Sequence, residues 1–99
     1  MMRILITGLS GFTGYYLKNE LLKHGHEVIG LKSNVKDTAS LNDEIRKIKP
    51  EALVHLAAIS FVGHKNTAEF YETNLIGTLN LLKAIYKNAP NIKSIMIAS

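Results

Sequence analysis

Four short runs in this 99-residue chain are apolar almost without interruption: "RILIT" (Arg3–Thr7), "VIGL" (Val28–Leu31), "ALVHLAA" (Ala52–Ala58) and "SIMIA" (Ser94–Ala98). A strand with one wet face alternates apolar and polar residues, whereas a strand that is apolar throughout is buried on both faces. Runs of this length bounded by turn formers read as strands. Helical periodicity fills the intervals. Phe12–His24 carries Tyr16, Leu17, Leu21 and Leu22 at helical spacing and stops at Gly25. Leu41, Ile45 and Ile48 fall at i, i+4 and i+7 before Pro50, with Ser40 and Asp43 placed to form a capping box. Ala68–Asn88 sets Phe70, Tyr71, Leu75, Leu79, Leu82, Ile85 and Tyr86 on one side and is closed by Pro90.

Strands buried on both faces and alternating with helices predict an α/β fold, a Rossmann-like doubly wound parallel sheet with the first strand central. The interval Lys32–Asp37 is too short for a full further strand, and Asn34-Val35 is its only remnant. Because the last apolar run would otherwise end as an uncovered strand, the sheet is expected to be an incomplete, N-terminal portion of that fold.

Between the first strand and the first helix stands "GLSGFTG", with glycines at three-residue intervals. Each has a separate task in this setting. Gly8 ends the strand at a sharp turn, where a positive φ costs glycine nothing. Gly11, without a Cβ, lets the backbone approach a pyrophosphate. Gly14 lets the first helix lie close to the sheet. The amides around Ser10, Phe12 and Thr13 then face an anion at a helix N-terminus. The alternative is a tight strand-to-helix turn that binds nothing.

Composition narrows the classes. The net charge of +4 comes from Lys and Arg scattered along the helices, with no basic run and no aromatic interleaving, which speaks against nucleic-acid binding. There is no cysteine, so thiolate and disulfide chemistry are excluded. No run approaches the ~18 apolar residues of a membrane span, and a cytoplasmic location is expected. His24 and His26 flank Gly25 and read as a solvated turn, with no metal site expected. His55, inside a strand, reads as a satisfied core histidine. Phe61, Val62, Gly63, His64 and Lys65 follow the third strand, at the end of the sheet where ligands bind.

The blocks "ILITGLSGFTGYYL" (Ile4–Leu17), "IKPEALVHLAA" (Ile48–Ala58), "FYETNLIGTLNLLKA" (Phe70–Ala84) and "IMIAS" (Ile95–Ser99) resemble, in order, the extended short-chain dehydrogenase/reductases. These form the NAD-dependent epimerase/dehydratase family, which acts on nucleotide sugars. Within it the chain looks most like the GDP-4-dehydro-6-deoxy-mannose reductases. The resemblance implies that Gly8, Ser10, Gly11, Phe12, Thr13 and Gly14 hold the cofactor pyrophosphate. It places Asn34 and Val35 beside the adenine, where the family has Asp and an aliphatic. Leu56, Ala57 and Ala58 would line the cofactor, Ser60 would lie toward the nicotinamide, and Asn74 would tie its helix to a strand. Lys32 and Ser33 follow the second strand as a cation and a hydroxyl donor, which favours NADP(H), with NAD(H) the alternative.

The family's hydride-transfer machinery needs Tyr-x-x-x-Lys, in which the lysine lowers the tyrosine pKa and so readies the phenol for proton exchange. Four residues after Tyr15, Tyr16, Tyr71 and Tyr86 stand Asn19, Glu20, Leu75 and Pro90, so the pair is absent and no catalytic residue is assigned. A final apolar strand would leave a bare sheet edge. The expectation is the cofactor-binding part of a longer enzyme, inactive alone and self-associating through Lys93–Ser99. Its substrate would be a nucleotide sugar, with a 4-keto-6-deoxy sugar reductase favoured over epimerase or dehydratase. The competing readings are a non-catalytic dinucleotide-binding or regulatory module and a ligand-free folding fragment.

Overall fold

In the computed structural model the described residues form β1 (Arg3–Thr7), α1 (Phe12–Lys23), β2 (Glu27–Gly30), α2 (Thr38–Ile48), β3 (Ala52–His55), α3 (Thr67–Asn88) and β4 (Ser94–Ile97). The structure describes residues 1–9, 12–56 and 67–98, with the backbone alone for 67–71 and 73. The strands form one parallel sheet in the order β2-β1-β3-β4. β1 is thus interior, as the apolar run predicts. Leu5 stands opposite Ile29 on one side and Leu53 on the other. Lys32–Asp37 forms no strand.

Side-chain parity along β1 divides the core in two. Leu5 joins Leu53 and the buried faces of α2 (Leu41, Ile45) and α3 (Leu81, Ala84, Ile85). Ile4 and Ile6 join Ala52 and Leu56, against which Leu17 and Leu21 of α1 pack. One helix therefore covers one face and two cover the other. This is the doubly wound arrangement: the chain runs one way from β1 to β2 and then crosses back to β3 on β1's other side.

Some helix faces differ from expectation. Tyr16 and Leu22 of α1 are exposed, and only Leu17 and Leu21 meet the sheet. The reason is geometric: at 100° per residue, Phe12, Tyr15, Tyr16 and Leu22 lie on the side opposite Gly14, Leu17 and Leu21. In α3, Leu75, Leu79 and Tyr86 are likewise exposed, while Leu81, Ala84 and Ile85 are buried between the sheet and α2. Both helices are apolar on two sides, and packing chose between them.

The α2 cap is also displaced by a turn. Asp37, not Ser40, is the N-cap, accepting from the Ser40 amide at 3.2 Å and from its hydroxyl at 2.8 Å. Asp43 instead pairs with Arg46 and Lys47. Two cap-type residues three apart leave the frame open in sequence, and Leu41 and Ile45 reach the core with Thr38 as the first helical residue. β4 lies at the sheet's end as the expected uncovered edge, yet all four of its residues are exposed, where a continuous apolar run predicts burial on both faces. Among the described residues no helix is long and apolar enough to cross a membrane.

Candidate functional site

The β1–α1 turn is built by backbone contact. Gly8 takes φ +77°, a left-handed conformation that glycine reaches without a Cβ clash. A Cβ on Gly14 would stand 2.6 Å from the Gly8 carbonyl oxygen and 2.8 Å from Leu9 Cα, so α1 lies directly on the turn. Leu9 folds its side chain over Gly30 of β2, where a Cβ would meet Leu9 Cδ2 at 2.8 Å. Phe12 and Thr13 open α1 with exposed side chains. Ser10 and Gly11 lie outside the described residues. The turn stands at the carboxyl end of β1, between strands whose helices cover opposite faces, where open α/β sheets form their ligand crevice.

The next segment in space is the loop after β2. After Leu31, whose amide still bonds to the Ile6 carbonyl of β1, the amides of Lys32 and Ser33 donate to the two carboxylate oxygens of Glu44 on α2, at 2.9 and 2.8 Å. Partial burial works to raise the Glu44 carboxyl. Hydrogen bonds from the Ser33 side chain and from both amides, with the Lys32 charge, outweigh it and hold the group below its ordinary value. The backbone amides of the two residues expected to receive a 2′-phosphate are therefore already engaged by a carboxylate. Asn34 turns its Oδ1 back to accept from the Lys36 amide at 2.9 Å. Val35 is wedged against α3: a Cβ on Gly77 would stand 2.6 Å from Val35 Cγ2, and Asn80 donates to the Val35 carbonyl at 3.0 Å.

The third wall is the end of β3. His55 is buried, its Nδ1 bonded to the Thr7 hydroxyl and its Nε2 to the Thr78 hydroxyl at 2.8 Å. One histidine thus joins β1, β3 and α3, and burial holds its imidazole below the ordinary value. Leu56 follows, buried, with its amide on the Thr7 carbonyl at 3.1 Å. Asn74 is half-buried in α3 and has a partner. Ala57, Ala58, Ser60 and the Phe61–Lys65 stretch lie outside the described residues. In the other turn, between α1 and β2, His26 Nδ1 accepts from the Met2 amide at 3.0 Å, a structural tie.

The described parts of three loops thus meet at one end of the sheet. The model of the NAD dependent epimerase/dehydratase family matches residues 4–99. The chain belongs to this family. It is 43% identical over 93 residues to a GDP-6-deoxy-D-talose 4-dehydrogenase of Aggregatibacter actinomycetemcomitans, covering 85% of this chain and 30% of that protein. A probable UDP-glucuronate 4-epimerase of Rhizobium meliloti is 30% identical over 128 residues, covering 99% and 37%. Among solved structures, the Bordetella bronchiseptica enzyme WbmG in complex with NAD and UDP superposes with a TM-score of 0.75 at 28% identity, covering 97% of this chain and 36% of that one. The chain spans about a third of the length of the relatives it matches.

Family membership fits the Rossmann-like sheet and the glycine turn. Sequence reasoning did not find Glu44, Thr78 or Asn80. Each acts on a residue distant in the chain, and no local pattern marks a helix residue as the partner of a loop amide.

Proposed function

We propose that residues 1–99 are the N-terminal, cofactor-binding part of a nicotinamide-dependent enzyme acting on a nucleotide sugar, of the subclass that reduces 4-keto-6-deoxy sugars. The observation that carries this reading is the β1–α1 turn. Its Gly8 has a positive φ, and its Gly14 admits no Cβ, so the helix N-terminus is brought against the end of β1 where an anion is stabilised. A strand-to-helix turn of this kind suits a dinucleotide pyrophosphate. The likeness to a GDP-6-deoxy-D-talose 4-dehydrogenase supports the oxidoreductase subclass over the epimerases.

In this reading the amides near Ser10, Gly11, Phe12 and Thr13 hold the pyrophosphate, with Gly8 and Gly14 shaping the turn. Lys32 and Ser33 border the adenosine ribose, while Asn34 and Val35 flank the adenine from a loop anchored on Gly77 and Asn80. Leu56, Ala57 and Ala58 form the floor, Ser60 lies toward the nicotinamide, and Asn74 fixes α3. When bound, the cofactor accepts or donates a hydride at a sugar carbon. Proton exchange with the sugar falls to residues other than these, since Tyr-x-x-x-Lys does not occur in the sequence. The exposed β4 edge supports self-association, which light scattering tests: a monodisperse monomer at high concentration argues against it.

Titration of the chain with NADH and NADPH, followed by nicotinamide fluorescence, tests the cofactor role. Saturable binding of at least one is expected, and weakened binding in Gly14→Ala. Failure of both to bind at millimolar concentration overturns the reading.

A further inference from the structure

We propose that Glu44 sets the cofactor preference of this chain toward the unphosphorylated dinucleotide, by holding a carboxylate where an adenosine 2′-phosphate would need to bind. The inference rests on the cofactor reading above. It opposes the preference for NADP(H) that Lys32 and Ser33 suggest in the sequence.

Two successive amides aimed at one anion form a nest, a concavity that binds phosphate readily when it is open. Here the nest stands at the second and third residues after β2, in the segment that meets the adenosine ribose in dinucleotide-binding sheets. Glu44 fills it from within, one carboxylate oxygen on each amide. On the same stretch of α2, Arg46 and Lys47 are drawn to a carboxylate as well. Lys47 lies 3.1 Å from Asp43, which also binds Arg46. A 2′-phosphate carries about −1.5 to −2 charge at neutral pH. It would have to displace Glu44 from both amides or stand beside it as a like charge. A 2′-hydroxyl meets the opposite situation. Each carboxylate oxygen has a second lone pair, so the hydroxyl can donate to Glu44 while the amides stay bound.

Acidic discrimination of this kind ordinarily comes from the residue that ends the second strand. In this chain that stretch reads Leu31-Lys32-Ser33, and the carboxylate arrives from α2, eleven residues further on.

The experiment compares NADH with NADPH, and ADP-ribose with its 2′-phosphorylated form, by fluorescence titration and competition on the 99-residue chain. Wild type is expected to favour the unphosphorylated member of each pair at least tenfold. Glu44→Gln should shrink that ratio at least fivefold, mainly by gaining affinity for the phosphorylated member. Glu44→Asp, which keeps the charge, should retain most of the preference, and Glu20→Gln, on α1 and away from this loop, should leave the ratio unchanged. Equal or tighter binding of NADPH by wild type overturns the proposal, and that result stands even where Glu44→Gln fails to fold. So does an unaltered ratio in a folded Glu44→Gln. In both cases the cofactor reading survives, because a dinucleotide binds. Absence of binding by either cofactor removes the cofactor reading and this inference with it.

Discussion

On the α2–α3 side of the sheet, Leu5, Leu41, Ile45, Leu53 and Leu81 are all at or below 1% exposure, whereas on the α1 side the covering helix buries only Gly14 fully. Leu17 and Leu21 there remain half-open. The two-helix face is a closed core, and it also encloses the Thr7–His55–Thr78 chain of hydrogen bonds. The one-helix face is a lid whose tightest contact is backbone on backbone, at the N-terminal end of α1. On the α1 face the sheet residues Ile4 and Ile6 are buried as well, so the difference lies in the covering helices: two are locked into the core, and one holds the glycine turn in register.

Truncations in the two faces should separate most clearly. Leu81→Ala or Leu53→Ala opens a cavity in closed packing and should cost about 2–5 kcal/mol. Leu17→Ala, on a half-buried residue, removes less contact and should cost roughly half as much or less. Urea denaturation followed by circular dichroism measures both. Equal losses would break the distinction between core and lid.

Gly14→Ala probes the lid where it is tightest. The new Cβ would meet backbone atoms of Gly8 and Leu9, which cannot rotate away, so α1 has to move. Overpacking of this kind costs about 1–3 kcal/mol. Because the displaced element is the anion-facing helix end, NADH affinity should fall at least tenfold. Gly30→Ala, by contrast, meets only the mobile end of the Leu9 side chain and should be milder in both respects. A Gly30→Ala loss as large as that of Gly14→Ala would mean that the turn is not held by its backbone contact.

The closed face should also carry a pH signature. Burial holds the His55 pKa below the ordinary value of 6.5, so the fold favours the neutral ring. The unfolded chain takes up the proton first, so the fold's advantage is complete above about pH 6.5 and is lost as pH falls toward the depressed folded value. Carboxylates such as Glu44, also held low, add their own losses further into acid. Subtracting the stability profile of His55→Gln from that of wild type between pH 8 and 5 isolates the histidine. A difference that does not change over this range would show that the buried ring is not what the closed face protects.

What the sequence made legible follows the same division. Strands, their parallel order around a central β1 and the roles of Gly8 and Gly14 were readable, because continuous apolar runs and a strand-to-helix turn are set locally. Helix faces were not. α1 offers Tyr16 and Leu22 as well as Leu17 and Leu21, and α3 offers Leu75 and Leu79 as well as Leu81 and Ile85; periodicity marks both faces and only packing selects one. The polar ties were least legible. Thr7 and His55 are 48 residues apart, and His55 and Thr78 are 23 apart. Glu44 sits beside the core residue Ile45 and gives no sign that its carboxylate reaches back to the β2 loop. Both kinds of information depend on the crossover that brings α2 and α3 over β1, which exists only once the sheet has formed.

The smallest expected effect lies where the closed face turns into β3. α2 ends at Lys49, whose φ of 49° and ψ of 63° are left-handed, with its amide on the Ile45 carbonyl at 2.8 Å. Pro50 follows and has no N–H with which to continue the helix. A lysine Cβ is strained in this conformation, and glycine is not. Lys49→Gly removes that strain but frees the unfolded chain, so the net gain should be about 0.5 kcal/mol. The side chain is exposed, so no packing is lost with it. Thermal unfolding at matched pH reads the change, with Lys49→Ala as the reference that keeps the Cβ and should gain nothing. A stabilisation in both variants would assign the effect to the lysine side chain. A gain confined to glycine places it in the backbone turn, and shows that the closed face tolerates one strained residue to bring β3 back beside β1.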